Sequence, residues 1–587
     1  MKITKILIRY FIIFCFSFVF AIFFSQIIKP KSQVFIDLDK YSENGVIDVA
    51  VYNEKIKKFE SKDRKTYKDT IKVGKEELAI EFYIENSEIV KLKINNEDFS
   101  DKIVKISNIT SSEYYKNVYC IKLNNNVNIW LTISLLAVFF YIFKKMESEI
   151  FIRNKHNKNL MFLHSAIDAV GKKSIILSFI IAIASIIIYA GCDLNVISES
   201  VIMHLKGVDF YQMFACFNKA KGVSLLMWQY DGSMLLGYSV LSYISYPVLK
   251  FFNPNSYHFI QVFLYKFINI GLCNLTILSI INYLIDKKKL SIKKAKWVYY
   301  LSIFNPLTFY VAIIFIQFDM LPAYALVLGI LLMDKLKDSK YTSAFLLAFG
   351  LSCKMTMWLL IPAYIILEVY LFVKEKKYFE NIQHFLLVTF LLAIFVIIPR
   401  ILSTPVSMAL TGLEQSKRIW FTTLNYAPTL FLYISIASIL ITFIYNYYDL
   451  SEKMRKENII LFTIVSFAII TFAFSYSTIS TPSFLLQTIG AYVIFIALSD
   501  NKLSVFLTSI LLLIITIEYS FAPEGDITAS LIFFNKTPLF TTLQNKMIET
   551  NNYVLWKSLI FTISHSVMFS FIMIFTKLNK KLKENNF

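Results

Sequence analysis

The sequence predicts an all-α polytopic membrane protein with one small extracytoplasmic β-sandwich near its N-terminus. Three observations predict it. Hydrophobic residues make up 56% of the 587, with 55 Phe and 35 Tyr, more apolar surface than a soluble core of this size has to bury. The Lys and Arg behind a formal charge of +19 cluster in short links between apolar runs, as in cytoplasmic loops. Residues 29–127 instead alternate apolar and polar side chains.

The first run, Ile6 to Ile28, follows the basic start MKITK. It is longer than a signal-peptide core and lacks a small-x-small cleavage site, so 1–28 is expected to be a retained anchor. Residues 29–127 carry segments such as VFIDLD, LAIEFYIEN and IVKLKINN with Asn and Gly turns between them, the pattern of six or seven strands packed as a sandwich. Residues 128–173 form a span and a basic cytoplasmic link.

Further apolar runs begin near Ser174, His258, Trp297, Met320, Tyr341, Met357, Phe385, Tyr426, Ile459, Ser483, Leu503 and Lys557. The total is about 14 helices. An even number puts both termini in the cytoplasm of a multi-pass plasma-membrane protein, and the basic links (144–173, 287–296, 335–340, 374–377, 453–456, 577–583) then all fall inside. That parity requires Leu235 to Phe252, with Tyr238, Tyr243, Tyr246 and Pro247, to lie in the outer interface. Residues 192–257 become one large outer loop within a module spanning 174–400, and 401–587 are C-terminal spans with outer loops.

Several classes are disfavoured. The basic residues are dispersed among membrane links, so no nucleic-acid partner is expected. No Walker loop, dinucleotide fingerprint or metalloprotease helix is present, which argues against ATP-driven work and nicotinamide chemistry. The six cysteines show neither metal spacing nor a disulfide framework; Cys192 and Cys216 face the same side and either pair or remain free. His164, His204, His258, His384 and His565 are spread over both faces and form no relay.

Four constellations remain. Asp193 stands where the run Ser174 to Gly191 meets water, a position where an idle carboxylate is costly and partial desolvation makes a better proton acceptor; the alternative is a helix cap. Gln317 and Asp319 lie at an outer turn between two spans, where Asp319 either joins Asp193 at one cavity or simply initiates the following helix. Lys266, Lys354 and Arg400 are embedded cations that need an anion, such as the phosphate of a lipid carrier, unless they snorkel to headgroups. The loop with Glu414, Lys417, Arg418 and Trp420 suits a sugar phosphate but also an ordinary interfacial belt.

Together these segments resemble a family. Asp193 at a span end, then Gly207-x-Asp209-x-Tyr211, then an aromatic interfacial stretch from Trp228 to Phe252, is similar to the first outer loop of GT-C membrane glycosyltransferases. Asn305-Pro306, Gln317-Phe-Asp319, a span, a basic turn and AFLLAFGLSCK ending at Lys354 is similar to a bacterial mannosyltransferase-like branch related to GPI mannosyltransferases and to the ALG-type glucosyltransferases. The resemblance covers about residues 174 to 400. It departs from the relatives' Tyr-Pro-Pro at Trp228-Gln-Tyr-Asp231.

The resemblance implies transfer of a hexose, mannose or glucose, from a polyprenyl-phosphate donor to a hydroxyl of a glycan or glycolipid acceptor on the outer face. Asp193 is then the general base. Asp319 is expected as a second catalytic carboxylate, the two dividing activation of the nucleophile and orientation of the sugar hydroxyls, with Asp209, Tyr211, Trp228, Asp231, Lys266, Gln317, Lys354 and Arg400 binding substrate. No cofactor is required, although Asp193 with Asp209 offers a place for a metal. The rival expectation is a lipid-linked oligosaccharide flippase or another secondary transporter, which calls for two matching halves.

Overall fold

The computed structural model describes residues 2–28, 33–39, 41, 45–51, 54–73, 76–106, 117–123, 129–156, 163–185, 188–189, 208, 236–238, 254–314, 319–375, 378–397, 456–475, 488–499, 502–521, 528–529 and 537–538. The chain divides into two compact units.

The first unit contains α1 (Lys2–Ile28), nine strands and the start of α2 (Ile129–His156). The strands are β1 (Gln33–Asp37), β2 (Ile47–Val51), β3 (Lys57–Phe59), β4 (Thr66–Val73), β5 (Glu76–Glu85), β6 (Glu88–Ile94), β7 (Glu97–Asp98), β8 (Ile103–Lys105) and β9 (Val118–Lys122). They pair antiparallel as two sheets, ordered β3-β2-β1-β9-β8 and β4-β5-β6-β7. One apolar core joins the sheets, with Val34, Ile36, Val49 and Ile121 from the first and Tyr67, Ile80, Phe82 and Leu92 from the second. The alternation in β4 and β5 aims every second side chain into that core. Asn86-Ser87 and Asn95-Asn96 adopt positive φ, which lets the β5–β6 and β6–β7 hairpins turn in two residues with the twist their strands require. Nine strands form rather than six or seven because β3, β7 and β8 have only two or three residues, too short to leave an alternating pattern. In the same unit the rings of Phe20 and Phe24 of α1 pack at a tilt against Phe139 of α2, with centroids 5.4 and 6.1 Å away.

The second unit is helical. It takes α2 from Ile142 onward, then α3 (His164–Val170), α4 (Lys172–Ala184), α5 (Pro254–Asp286), α6 (Ile292–Ile303), α7 (Pro306–Phe309) continued by a π-helical turn Tyr310–Ile314, α8 (Met320–Leu332), α9 (Leu336–Cys353), α10 (Ile361–Glu375), α11 (Tyr378–Leu392), α12 (Lys456–Ser475), α13 (Thr488–Leu498) and α14 (Lys502–Phe521). Among the described residues of the whole chain, four helical segments are long and apolar enough to cross a membrane: Ile8–Ser25, Ile129–Glu149, Val262–Asp286 and Tyr378–Val396. The pair α6 and α7 with its π turn makes a fifth if a 54° bend is allowed within one span. The bend follows from Asn305-Pro306: proline ends the preceding helix, and the Asn305 side chain accepts the N–H groups of Leu307 and Thr308 at 3.0 and 3.4 Å to start the next.

Ser174 to Gly191, expected as one span, is helical only to Ala184, and Ile188–Tyr189 pairs as a short strand with Thr528–Ala529. The β-branched end of the run suits extended backbone, where its side chains are not crowded by a preceding turn.

Helices α8 and α9 form an antiparallel hairpin closed by Met333–Lys335. Their backbones touch because two glycines lie between them. A Cβ on Gly329 would meet Leu347 Cγ at 2.7 Å, and one on Gly350 would meet Leu326 Cγ at 2.7 Å. Close approach over small residues is how helices associate where no hydrophobic drive separates them from lipid. Ser339 leaves helical geometry (φ −151°), and Glu149 of α2 supplies the acceptors for the restarted helix, taking the N–H of Tyr341 and of Thr342 at 2.9 Å each and the Thr342 hydroxyl at 2.7 Å.

Three predicted basic links, 144–173, 287–296 and 335–340, meet at one end of this unit. Lys287 pairs with Asp334 at 2.7 Å, Ser165 donates to Asp286 at 3.1 Å, Lys294 donates to Ser499 O at 2.8 Å, Glu149 holds the α9 restart, and Lys340 bonds Gln383. Opposite helix ends therefore carry the residues treated next.

Candidate functional site

Asp319 opens α8 and Lys354 follows α9, so the hairpin brings them to the same end. Lys354 is extended (φ −156°, ψ 142°) between Cys353 and a 3₁₀ turn, Met355–Leu360, and this break turns its side chain back to α8. Lys354 Nζ stands 3.0 Å from Asp319 Oδ2 and 3.3 Å from Oδ1, and the two side chains are 1% and 0% exposed. Desolvating two charges is expensive, and the close two-oxygen contact is what offsets it. Asp319 does start its helix, its carbonyl accepting the Ala323 N–H at 3.0 Å, but that is not all it does. Its side chain caps no backbone N–H of α8, being directed to the lysine instead.

Lys266, on α5, is buried at 1% exposure and does not snorkel. Its ammonium donates to Ser185 O at 2.5 Å and contacts Ser185 Oγ at 3.3 Å. Ser185 is the C-terminal cap of α4, where carbonyls lack intrahelical donors and the helix dipole is negative. One turn on, Asn269 donates to Ala312 O in the π turn at 3.2 Å, which ties α5 to the bent helix. Two buried lysines, each anchored on an oxygen acceptor, are thus held in the second unit, Lys354 by a carboxylate and Lys266 by a helix end. Both acceptor sets are oxygens of the kind a phosphate also presents.

Asp193, Asp209, Tyr211, Trp228, Asp231, Gln317 and Arg400 lie outside the described residues, as do Cys192, Cys216 and the loop with Glu414 and Trp420.

No protein-family model matches the chain, and no curated protein or solved structure is similar to it.

A buried polar cluster escaped the sequence reading. Tyr364 donates to Glu368 Oε1 at 2.7 Å, His384 Nδ1 bonds the same oxygen, His384 Nε2 lies 3.1 Å from Ser343 Oγ, and Ser343 donates to Gly329 O at 2.8 Å. The spacing of the histidines does not reveal it, because the partner of His384 is a glutamate on a neighbouring helix. The available signal was Glu368 itself, one acid in the apolar stretch IPAYIILEVYLF, with Tyr364 one turn before it. A second cluster is fully neutral: Tyr299 donates to Asn274 Oδ1 at 2.6 Å and Asn274 donates to Ser178 at 3.0 Å, joining α4, α5 and α6.

Proposed function

We propose that the chain is a membrane glycosyltransferase of the GT-C type, moving a hexose from a polyprenyl-phosphate carrier to an acceptor hydroxyl on the extracytoplasmic face. The observation that supports it is the Asp319–Lys354 pair, at the helix end away from the basic links. Those two residues come from the segment that resembles the family.

In this reading Asp319 orients the Lys354 ammonium within an apolar bundle, so that a carrier phosphate meets a cation already desolvated and fixed in place. Lys266 supplies a second positive charge, and Arg400 a two-pronged donor for the same group. Asp193 takes the proton of the acceptor hydroxyl as its oxygen attacks the anomeric carbon. The bond from that carbon to the phosphate oxygen breaks, and the phosphate leaves as a stable anion without an acid. One in-line displacement inverts the anomeric centre. Asp209, Tyr211, Trp228, Asp231 and Gln317 bind sugar and acceptor. The span number of about 14 and a plasma-membrane location with both termini cytoplasmic belong to the same proposal.

The test is transfer of radiolabelled sugar from a polyprenyl-phosphate donor in vesicles containing the purified protein. D193N is expected to abolish transfer while the protein still inserts and folds; a fully active D193N removes that residue from the mechanism.

One observation favours a transporter instead: α6 and α7 meet at a 54° break, and broken helices beside buried ion pairs line transport paths. The same vesicles separate the two readings. A transporter moves lipid-linked sugar between leaflets without forming a new glycosidic bond.

A further inference from the structure

A cleft of about 90 Å³ lies between α5 and α8, at the end where the basic links meet. Its walls carry two acids and two bases: Asp286 and Lys287 where α5 stops, and Asp334 and Lys335 in the turn after α8. Tyr283 of α5 and Leu328 and Leu331 of α8 add apolar surface. The volume is several times what one water needs, and neither reading of the function uses it.

The four charges are not spent on one another. Lys287 pairs with Asp334 Oδ2 at 2.7 Å, and the Asp334 side chain is 8% exposed; its other oxygen accepts no bond among the described residues. Asp286 is held by neutral donors, Ser165 Oγ on Oδ1 at 3.1 Å and Asn282 Nδ2 on Oδ2 at 3.0 Å. Such donors fix a carboxylate in place but leave its charge uncompensated. Lys335 is exposed, and its ammonium pairs with no acid among the described residues. Ser279 lies two turns before Asp286, about 10 Å along the helix axis. Its Oγ, in the cleft wall and 4% exposed, makes no well-formed hydrogen bond, and the Tyr324 hydroxyl is its polar neighbour.

We propose that this cleft binds the headgroup of a phospholipid that carries a primary ammonium beside its phosphate, the phosphoethanolamine type. The three hydrogens of the ammonium meet Asp286 and the second oxygen of Asp334. The phosphate meets Lys335, the ester region reaches Ser279, and the chains run over Leu328 and Leu331.

Position selects a lipid. Asp286 ends the segment Val262–Asp286, which is long and apolar enough to cross a membrane, so the charged rim stands at headgroup depth and Ser279 below it. Charge selects the headgroup. Anionic phospholipids favour purely basic pockets and would meet two carboxylates here. A quaternary ammonium has no hydrogen to give either acid, and the Tyr283 ring that would attract it already has Lys287 Nζ 5.6 Å from its centroid. A divalent cation takes six or so oxygen ligands, and among the described residues no three His, Cys, Asp or Glu side chains gather. A lipid held in this way ties α5 to the turn of the α8–α9 hairpin, at the opposite end from Asp319 and Lys354.

The test is native mass spectrometry of the full-length protein in detergent, titrated with phosphatidylethanolamine, phosphatidylcholine and phosphatidylglycerol of identical chains. Phosphatidylethanolamine is expected to bind about tenfold tighter than either of the others, the worth of one charge-assisted hydrogen bond. D286N and K335Q are each expected to lose most of that preference while binding phosphatidylcholine as the wild type does. Equal binding of the three lipids, a preference for phosphatidylglycerol, or a preference that survives in both variants overturns the proposal. So does displacement of the lipid by an equal concentration of glycerophosphoethanolamine, which would assign the cleft to a soluble ester. If the variants do not fold, the wild type in nanodiscs decides, with a phosphatidylethanolamine that carries a photoreactive group beside its headgroup. Crosslinks to Ser279–Lys287 or Leu328–Lys335 support the site, and crosslinks confined to other segments overturn it.

Discussion

Asp319 and Lys354 stand 35 positions apart in the chain and 3.0 Å apart in space. The distance closes because α8 and α9 are antiparallel, with Gly350 against Leu326 and Gly329 against Leu347. The pair is therefore a product of the hairpin, and whatever weakens the hairpin also loosens the pair.

The first prediction concerns the pair itself. D319N and K354M each remove one member of a buried charge pair, and each is expected to destabilise by about 3–5 kcal/mol. D319N/K354M removes both charges and should melt closer to wild type than either single variant. Thermal unfolding in detergent of all four proteins closes the cycle, and strictly additive losses would show that the two side chains do not interact.

The second concerns helix contact. G329A and G350A each place a methyl group against a leucine, and the backbone atoms Leu347 N and Pro322 O lie behind at 3.2 and 3.1 Å. Overpacking of this kind destabilises by about 1–3 kcal/mol. The control is G271A, whose Cβ would find only Phe179 Cζ at 3.9 Å and which should melt with the wild type.

The third concerns acid stability of the β-sheet unit. Asp63 is held well below the usual carboxylate range by the Ser61 hydroxyl and the N–H groups of Thr66 and Lys65. Asp98 is lowered by Ser100 through its side chain and N–H. Burial works against Asp69, but the Lys57 ammonium at 2.7 Å and the Thr70 N–H still lower it. A carboxyl that binds its proton less tightly when folded stabilises the fold above its unfolded value, and that contribution disappears as pH falls through the folded value. Protection of β4 to β6 against hydrogen exchange should therefore fall below about pH 4, and D63N should lower protection at neutral pH and flatten the acid dependence. Protection that rises on acidification would contradict the sign.

The fourth concerns sidedness. Asp168, Lys288, Lys337 and Lys502 are exposed and belong to the links joined by Ser165–Asp286, Lys287–Asp334 and Lys294–Ser499. In a cysteine-free background, D168C, K288C, K337C and K502C should all react with a membrane-impermeant maleimide from the same face, the cytoplasmic one by the charge rule. Labelling of one of them from the opposite face would break the assembly of links.

Sequence by itself determined that the chain is a membrane protein of apolar helices with a strand-rich segment near its start, because hydropathy and the two periodicities are local properties that each segment carries alone. It also placed 319 and 354 at one end and the links 144–173, 287–296 and 335–340 at the other, since consecutive spans must reverse direction. Only the tertiary structure decided that Asp319 holds Lys354 instead of capping α8, that Lys266 rests on the end of α4, and that His384 answers Glu368. Each of those outcomes depends on how helices rotate about their axes and where they pack. Rotation is set by contacts between distant segments, such as glycine against leucine, and no local pattern encodes it.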